Sequence, residues 1–469
     1  LWQPIEQLDV TLSYLNQEIE QDGFTAININ LPDEFQQTSL AIDSNGRGEF
    51  IANETDITNL VLEYDLGWGS LFSSTSSIEF SAYSGFDASL FSFTSEPSST
   101  LGSRDMDVFI EELRFVSELD GPFQFLLGYY YEDRKKYTLN DIDSRGTEFI
   151  PDAFRAVIER EVVVEQQSLF GELSYALTDQ LTTTAGFRYF EYDQSQPISL
   201  LNGNERTSQG LQGKVDDINY KLNVSYQMNE DTLLYAQWAE GFRRGRFQST
   251  LVPERDDPDG NGLINFADGT ERAVTDEILE PDTTETFEVG LKASLMDGRA
   301  TVSAAIFHTD WQGMPLSFFT EFGPSVFFNV GESEVDGVEI ETQAQLSDHL
   351  LLNFGASYIE AKLAEDAASL GGEKGEDLPG SAGFNLNLGL EYQFNFGEYD
   401  SFVRVDYAYA DDYAHAFKSR VVEGDPVAGG YGLVNLKVGV EMNAINLDLF
   451  VKNLTNANDF TWVDNTLNG

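Results

Sequence analysis

The chain has 469 residues, of which 41% are hydrophobic and 13% aromatic, and its formal net charge is -53. Such an excess of carboxylates excludes nucleic acid as a partner, because phosphates would repel it. No cysteine is present, which excludes disulfides and thiolate sites, and no stretch approaches the ~18 apolar residues of a membrane helix. The acidity itself has two interpretations: a solvated coat, which we favour, or a loop surface that gathers cations.

The first residues predict the end of a strand, a turn and a new strand that begins at Leu8. The sequence opens with Leu1 instead of Met and carries no basic and then apolar signal peptide. We therefore expect this to be a segment of a longer chain, trimmed at its N-terminus.

Apolar and polar residues alternate strictly along most of the chain, which is typical of strands with one apolar and one polar face. The clearest segments lie at 218–228, 287–295, 335–346 and 384–394. A large soluble β-protein is the alternative, but so many charges on one strand face favour a membrane barrel with a polar lumen. The alternation predicts a lipid-facing set and a lumen-facing set. The lipid-facing set is Leu386, Leu388, Leu390 and Tyr392, and the lumen-facing set is Lys292, Glu339 and Glu341.

Very short connections between strands alternate with long polar ones. The predicted turns are Glu6-Gln7, Gly69-Ser70, Asp120-Gly121, Thr178-Asp179, Asn229-Glu230, Asp297-Gly298, Ser347-Asp348, Gly397-Glu398 and Asn443-Ala444. The predicted long loops include 22–56, 85–104, 140–159, 194–213 and 243–283. Tight turns at one rim and long loops at the other indicate an outer-membrane barrel, with turns in the periplasm and loops outside.

Counting strands between these connections gives about seventeen, beginning at Leu8. The fold class is therefore all-β, a transmembrane antiparallel barrel. In a barrel of ~22 strands this segment would hold strands five to twenty-one, and Leu1 to Pro4 would end strand four. We expect residues 1–469 to be a partial barrel that lacks a plug domain, the first strands and the last strand.

Three arginines, Arg243, Arg244 and Arg246, stand where a strand enters the longest loop, at 243–283. Clustered guanidiniums could bind an anionic ferric chelate or lipopolysaccharide phosphate. The alternative, which we prefer, is that they pair with the abundant carboxylates of the loops. Tyr129, Tyr130, Tyr131 and the tryptophans are interpreted as an aromatic girdle, in preference to ligand-stacking residues.

The same loop contains DPDGNGLINFAD at 257–268, in which oxygen-bearing side chains alternate as in a twelve-residue calcium loop. Gly262 and Ile264 also occupy suitable positions, although Asp268 stands where a Glu would reach farther. We predict a structural Ca²⁺ site, with an ordinary Asp-Gly-Asn turn as the alternative. The expected ligands are Asp257, Asp259, Asn261, Leu263 through its carbonyl, Asn265 and Asp268.

No motif of an enzyme is recognisable. His308, His349 and His415 fall in separate hairpins, so a shared metal site is not expected. Neither an enzymatic activity nor a catalytic cofactor is therefore predicted.

Five segments in this order resemble the C-terminal half of the TonB-dependent receptor family. They lie at 233–247, 279–314, 329–341, 378–392 and 431–460. The 279–314 segment is the most similar, with a Pro-Asp-Thr entry, a strand ending in Gly-Leu-Lys, an Asp-Gly turn and a strand ending in Asp-Trp. Each piece is weak alone, but five at hairpin spacing are specific.

The resemblance implies an active importer of the bacterial outer membrane that binds a scarce nutrient and is driven by the TonB energy-coupling complex of the inner membrane. The implied cargo is a ferric siderophore, because this is the family's commonest, with haem, cobalamin or an oligosaccharide as alternatives. Outer-membrane lipid and lipopolysaccharide are the implied surroundings. The alternative from another class is a passive porin or a surface-binding barrel.

Overall fold

The computed structural model describes most of the chain as one antiparallel sheet. The described residues are 2–23, 48–87, 98–144, 155–202, 204–205, 211–248, 257, 260–265, 271–272, 278–319, 325–367, 371–415, 417–418, 428–442 and 445–459. Within these ranges no helix is long and apolar enough to cross a membrane.

The strands follow one another in chain order. They are β1 Trp2–Ile5, β2 Leu8–Asp22, β3 Phe50–Asp65, β4 Gly69–Asp87, β5 Ser98–Ser117, β6 Phe123–Ser144, β7 Arg155–Ala176, β8 Leu181–Leu201, β9 Asn204–Glu205, β10 Leu211–Asn229, β11 Thr232–Arg243, β12 Ile264–Asn265, β13 Glu271–Arg272, β14 Asp282–Leu295, β15 Ala300–Phe319, β16 Ser325–Ser347, β17 Leu350–Leu363, β18 Phe384–Phe396, β19 Tyr399–Ala410, β20 Tyr431–Met442 and β21 Ile445–Val451.

Nineteen of these strands form one sheet, and β12 and β13 form a separate small hairpin. Each long strand pairs with the next long strand in the sequence. The two-residue strands β9, β12 and β13 do not interrupt this order, so β8 pairs with β10 and β11 pairs with β14. The predicted strands from Leu8 onward correspond to β2–β8, β10, β11 and β14–β21. The all-β antiparallel fold predicted from the alternation is therefore confirmed.

The predicted turns fall at or next to the tight connections of the described residues, with small shifts. The turn after β3 is formed by Leu66, Gly67 and Trp68, whereas the predicted Gly69-Ser70 pair already lies in β4. Residues 443–444 lie outside the described ranges. Gly67 and Gly298 adopt φ values of 77° and 83°, which favour glycine at these tight connections.

The predicted lengths of several loops are wrong, because the strands β3–β8 and β10 continue into them. β5 begins at Ser98, β6 continues to Ser144, and β7 begins at Arg155, inside segments predicted as loops. These extensions stand above the lipid, so their sequence needs no continuous apolar outer face. The hydrogen bonds between neighbouring backbones nevertheless continue along these extensions.

The apolar face of the sheet points outward and the polar face inward. Val224 and Val289 are exposed on the outer face, as are Leu390 and Tyr392, while Leu386 and Leu388 share that parity. Lys292 and Glu341 line the central cavity, and Glu339 shares their face. This arrangement agrees with the predicted topology and suits a lipid-facing surface around a polar lumen.

The membrane-spanning part of a long strand can be read from its outward residues. On β6, the outward-facing Phe123, Leu127 and Tyr129 are exposed, and the first outward charge is Asp133. A spanning strand needs only ~9–11 residues, so β6 beyond Tyr131 stands above the membrane. Tyr130 faces the lumen, where its hydroxyl donates to Glu132 Oε2 at 2.8 Å, so only its two neighbours fit a girdle.

A hydrophobic core lies at the extracellular end of the β16–β18 region, where the connections after β17 and β19 fold inward. It contains Met314, Ala361, Leu363, Ala367, Leu378 and Phe417. The buried carboxylate of Glu376 accepts a backbone hydrogen bond from Lys418 and joins the two connections. This side of the barrel mouth is therefore apolar and well packed.

Candidate ligand-binding site

The segment 243–248, here called the strap, leaves β11 and turns over the inner wall of the barrel. Its Gly245 N–H donates to Tyr192 Oη at 3.2 Å, which ties it to β8. Its Gln248 side chain accepts the Phe327 N–H at 3.0 Å, which ties it to β16. A Cβ at Gly245 would lie 2.1 Å from the carbonyl oxygen of Leu279, so only glycine fits this close approach.

The first of the three predicted arginines anchors the strap to the barrel. Arg243 donates from Nε and Nη2 to the two carboxylate oxygens of Asp282, at 2.9 and 2.8 Å. Asp282 is 5% exposed and also accepts the Trp311 indole N–H at 2.7 Å. A bidentate pair of this kind fixes geometry. Arg243 therefore has the structural role of carboxylate pairing.

The second arginine reaches across the wall to β6. Arg244 donates from both Nη atoms to Glu132 Oε1 at 3.3 Å, and Arg134 Nη2 lies 2.9 Å from the same oxygen. Glu132 is 5% exposed, so two guanidiniums and the Tyr130 hydroxyl satisfy a buried carboxylate. Arg244 thus holds the strap down and is also a paired side chain.

The third arginine has no carboxylate partner among the described residues. The Arg246 guanidinium lies over the Phe327 ring, 4.4 Å from its centroid. It also lies close enough to Lys136 to lower the pKa of that ammonium group. The three neighbouring arginines therefore separate in space, and of the three only Arg246 lacks a carboxylate partner within the described residues.

Arg246 completes a group of five cations, here called the basic cluster: Arg104, Arg134, Lys136, Arg160 and Arg246. The first four project from the inner faces of β5, β6 and β7, above the membrane-spanning part. Arg104, Thr138 and Arg160 occupy one row across the three strands, and Lys136 lies in the row beneath. Arg160 is further tied to the strap, because its Nη1 donates to the Gln248 carbonyl at 3.0 Å.

The cations of the basic cluster lie close together, and this proximity lowers the pKa of two of them. Burial, and then the neighbouring Arg104, Arg160, Arg134 and Arg246, lower the pKa of Lys136 to about 8. Burial and Arg104 likewise lower the pKa of Arg160. No carboxylate of the described residues pairs with Lys136, Arg104 or Arg160. Counted over the described residues, the cluster therefore carries excess positive charge and would gain from a bound anion.

The same strands carry carboxylates on their outer faces. Asp105 and Asp107 point away from the lumen next to Arg104, and Glu161 does so next to Arg160, where it pairs with outward-facing Lys135 at 3.4 Å. Inner cations and outer carboxylates thus alternate residue by residue. In a chain of net charge -53, this segregation concentrates positive charge at one place inside the mouth.

Sequence reasoning missed four members of the cluster because it placed them in or beside loops. The signal that could have found them is period-2 charge alternation in SRDMD, DRKKY and IERE, at 103–107, 133–137 and 158–161. Read as strands, these segments place their cations on one face.

The predicted calcium loop is described in part, and Asp259 and Asp268 lie outside the described residues. The Asp257 carboxylate accepts the N–H groups of Asn261 and Gly262, both at 3.0 Å. Asn261 Oδ1 accepts the Leu263 N–H at 2.7 Å, and Asn265 pairs with Glu271 in the β12–β13 hairpin. Among the described residues no group of three acidic or histidine side chains is arranged to hold a metal. The calcium site stays a prediction.

The three histidines lie apart, as expected. His308 faces outward on β15 and pairs with Asp336 at 2.9 Å, whereas His349 lies in the turn after β16. His415 lies in the connection after β19.

Comparison with known proteins identifies the family. The family model described as TonB dependent receptor-like, beta-barrel matches residues 6–454. The chain belongs to the TonB-dependent receptors. These are outer-membrane proteins of bacteria that interact with TonB and bind small-molecule cargo, so the predicted family and location are confirmed. The family and fold are those of transporters and receptors.

Individual relatives are distant. A probable TonB-dependent siderophore receptor, PiuA of Acinetobacter baumannii, is 21% identical over 56% of this chain and 37% of its own length. An uncharacterized TonB-dependent receptor of Haemophilus influenzae is 25% identical over 58% of this chain and 73% of its own. The match to PiuA thus spans little more than a third of that relative.

Solved structures of TonB-dependent receptors share the fold. The ferric yersiniabactin uptake receptor FyuA from Yersinia pestis superposes with a TM-score of 0.74 at 15% identity, covering 97% of this chain and 64% of that one. The crystal structure of PiuA gives a TM-score of 0.69 at 16% identity, covering 97% and 69%. The chain therefore corresponds to about two thirds of each of these receptors.

Proposed function

We propose that the intact protein imports an anionic ferric chelate, a siderophore complex, across the outer membrane in a TonB-dependent manner. The observation that carries this proposal is the basic cluster of β5, β6, β7 and the strap, which concentrates positive charge inside the mouth of a very acidic barrel. A neutral cargo would gain nothing from this arrangement, and a cationic one would be repelled.

Capture would begin with electrostatic attraction at the mouth and end with paired hydrogen bonds from the guanidiniums. Arg104 and Arg160 lie in one row, so a planar carboxylate or catecholate group can bridge them. Arg246 would close the site from above because the strap holds it there. Arg243 and Arg244 would support the strap through their carboxylates and would meet the cargo only indirectly.

The relatives point to the same class of cargo. PiuA is described as a probable siderophore receptor, FyuA as a ferric yersiniabactin uptake receptor, and FecA, which has the same fold, as a ferric citrate transporter. The energy source would be the inner-membrane TonB complex. Calcium in the 257–268 loop would stiffen the connection that follows the strap, and lipid with lipopolysaccharide would surround the outer face.

The proposal is tested by uptake of ⁵⁵Fe chelates into cells that express the complete gene. The probes are ferric citrate, a ferric tris-catecholate and a neutral ferric hydroxamate, each with and without a functional TonB complex. We expect one of the anionic chelates to enter only when TonB is present. Entry independent of TonB would indicate a passive porin, and preference for the neutral chelate would refute the role of the basic cluster.

A further inference from the structure

The inner face of β2 to β5 carries apolar side chains, although the lumen of an outer-membrane barrel is ordinarily polar. Met106 and Val108 follow the inward-facing Arg104 by two and four positions on β5, so they point to the same side. Residues directly opposite one another in the sheet share a face, which adds further members on β2, β3 and β4. The whole set, here called the apolar patch, is Leu15, Ile57, Ile78, Phe80, Met106 and Val108.

The strand register places this patch directly beside the basic cluster. One row of opposed residues consists of Leu15, Ile57, Ile78 and Val108 and ends at Arg134 of β6. The next row toward the extracellular end joins Phe80 and Met106 to Lys136. Neighbouring strands are ~4.8 Å apart, so the apolar part of the first row is about 15 Å long. The patch and the cluster therefore form one continuous surface with an apolar and a cationic half.

The patch borders the mouth of the barrel. On β6, Arg134 and Lys136 lie beyond Tyr131, where the strand stands above the membrane. Leu15 is 53% exposed and Val108 is buried, whereas the other four members are partly buried. Apolar surface that meets water at this place would gain free energy from a ligand that covers it.

Other parts of the inner wall have the expected polar lining. The cavity along β14 to β18 is lined by Lys292, Glu341, Asn353 and Asn387. An apolar inner face is thus a local feature of β2 to β5, and it occurs where the basic cluster begins.

The chemistry of the side chains indicates what would cover the patch. Five of its six members are unbranched or branched aliphatic side chains, and Phe80 is the single aromatic ring. Such a surface suits a flexible alkyl chain, whereas a planar aromatic group gains most from stacking on other rings. Because cations adjoin the patch, the covering molecule would carry its negative charge at one end and its alkyl chain at the other.

We propose that the cargo is an amphiphilic ferric chelate, whose acyl chain lies on the apolar patch while its anionic head occupies the basic cluster. This inference rests on the proposed function, since it places the head of the same cargo in the same cluster. Each methylene group that is buried on the patch would strengthen binding by up to about fourfold.

The test uses the intact receptor in lipid nanodiscs and a ferric tris-catecholate that carries an acetyl, butanoyl, hexanoyl or octanoyl group on one backbone amine. Empty nanodiscs correct for partition of the acyl chain into lipid. We expect the octanoyl chelate to bind at least about tenfold more tightly than the acetyl chelate, with intermediate values for the two others. Equal affinities along the series would overturn this inference and leave the proposed function intact. Absence of binding by every member would overturn both.

A double variant, Ile78→Ser with Val108→Ser, tests the location. It places hydroxyl groups in the middle of the patch and should lower the octanoyl-to-acetyl affinity ratio to below about threefold. The matched control is Leu233→Ser, because Leu233 lines the cavity of the opposite wall and its loss should leave the ratio unchanged. The ratio removes any general change in binding of the head. If the double variant does not fold, the chain-length series in the wild type carries the test. An unchanged ratio in the double variant, or an equal fall in the control, would overturn the proposal.

Discussion

Replacing Lys136 by Met is expected to remove most of the pH dependence of anion binding to the basic cluster. Burial and four guanidiniums lower the pKa of Lys136 from 10.5 to about 8. The ammonium group is then about 90% protonated at pH 7 and about 10% at pH 9. If the anion binds only the protonated form, its dissociation constant rises about tenfold over this interval.

The sign of this pH dependence follows from the thermodynamic linkage between proton binding and anion binding. A bound anion raises the pKa of Lys136, so binding takes up a proton and weakens as the pH rises through about 8. The stability of the unliganded protein changes with pH in the opposite direction. Because the folded pKa is the lower one, the free energy of unfolding increases with pH between about 8 and 10.5, as the unfavourable buried charge is lost.

The assay is titration calorimetry of the intact receptor with a ferric tris-catecholate at pH 7, 8 and 9. Lys136→Met should bind more weakly at pH 7 and show a nearly flat profile, whereas Lys136→Arg should bind as tightly at pH 9 as at pH 7. Lys135→Met is the matched control, because Lys135 faces outward and pairs with Glu161. A flat wild-type profile, or an equal effect of the Lys135 change, would refute the reasoning.

Three further predictions concern the lipid face, the strap and the calcium loop. Val224→Arg places a charge on the outer face and should lower the free energy of unfolding in lipid vesicles by ~2–4 kcal/mol. Asn223→Arg, on the lumen face, should lower it much less. Equal losses of stability in the two variants would contradict the assigned orientation. Glu132→Gln leaves Arg134 and Arg244 without their carboxylate, so trypsin should cleave the strap severalfold faster, and an unchanged rate would mean that this pair does not hold it. Calcium at about 1 mM should protect the 257–268 loop from proteolysis in the wild type but not in Asp257→Ala; equal cleavage with calcium or chelator would leave an ordinary turn.

The membrane-spanning part of the fold was predictable because lipid imposes a rule on every second residue. Residues such as Val224 and Val289 must be apolar where they meet lipid, so period-2 alternation and tight turns reveal the strands. Above the membrane this rule ends. The sequences of Ser98 to Arg104 and Thr138 to Ser144 are mostly polar and do not alternate, so their composition is that of a loop although they pair as strands.

The site was less predictable because it depends on parity and on distant contacts. Arg104, Lys136 and Arg160 face one another only when three strands are aligned in register. Arg243 and Arg246 are close in sequence and differ in role, since one meets Asp282 and the other Phe327. The cluster in GFRRGRF indicated the correct region of the barrel mouth. It did not show which of its charges would be compensated.

The central claim is that the basic cluster inside the mouth of this TonB-dependent receptor binds an anionic ferric chelate. The most direct measurement is anomalous diffraction at the iron absorption edge, from crystals of the intact receptor grown with the chelate that the uptake assay identifies. We predict an iron peak between the inner faces of β5, β6 and β7 and the strap, with the chelate's oxygens toward Arg104, Lys136 and Arg160. An iron peak against the wall formed by β14 to β20, away from these cations, would contradict the account.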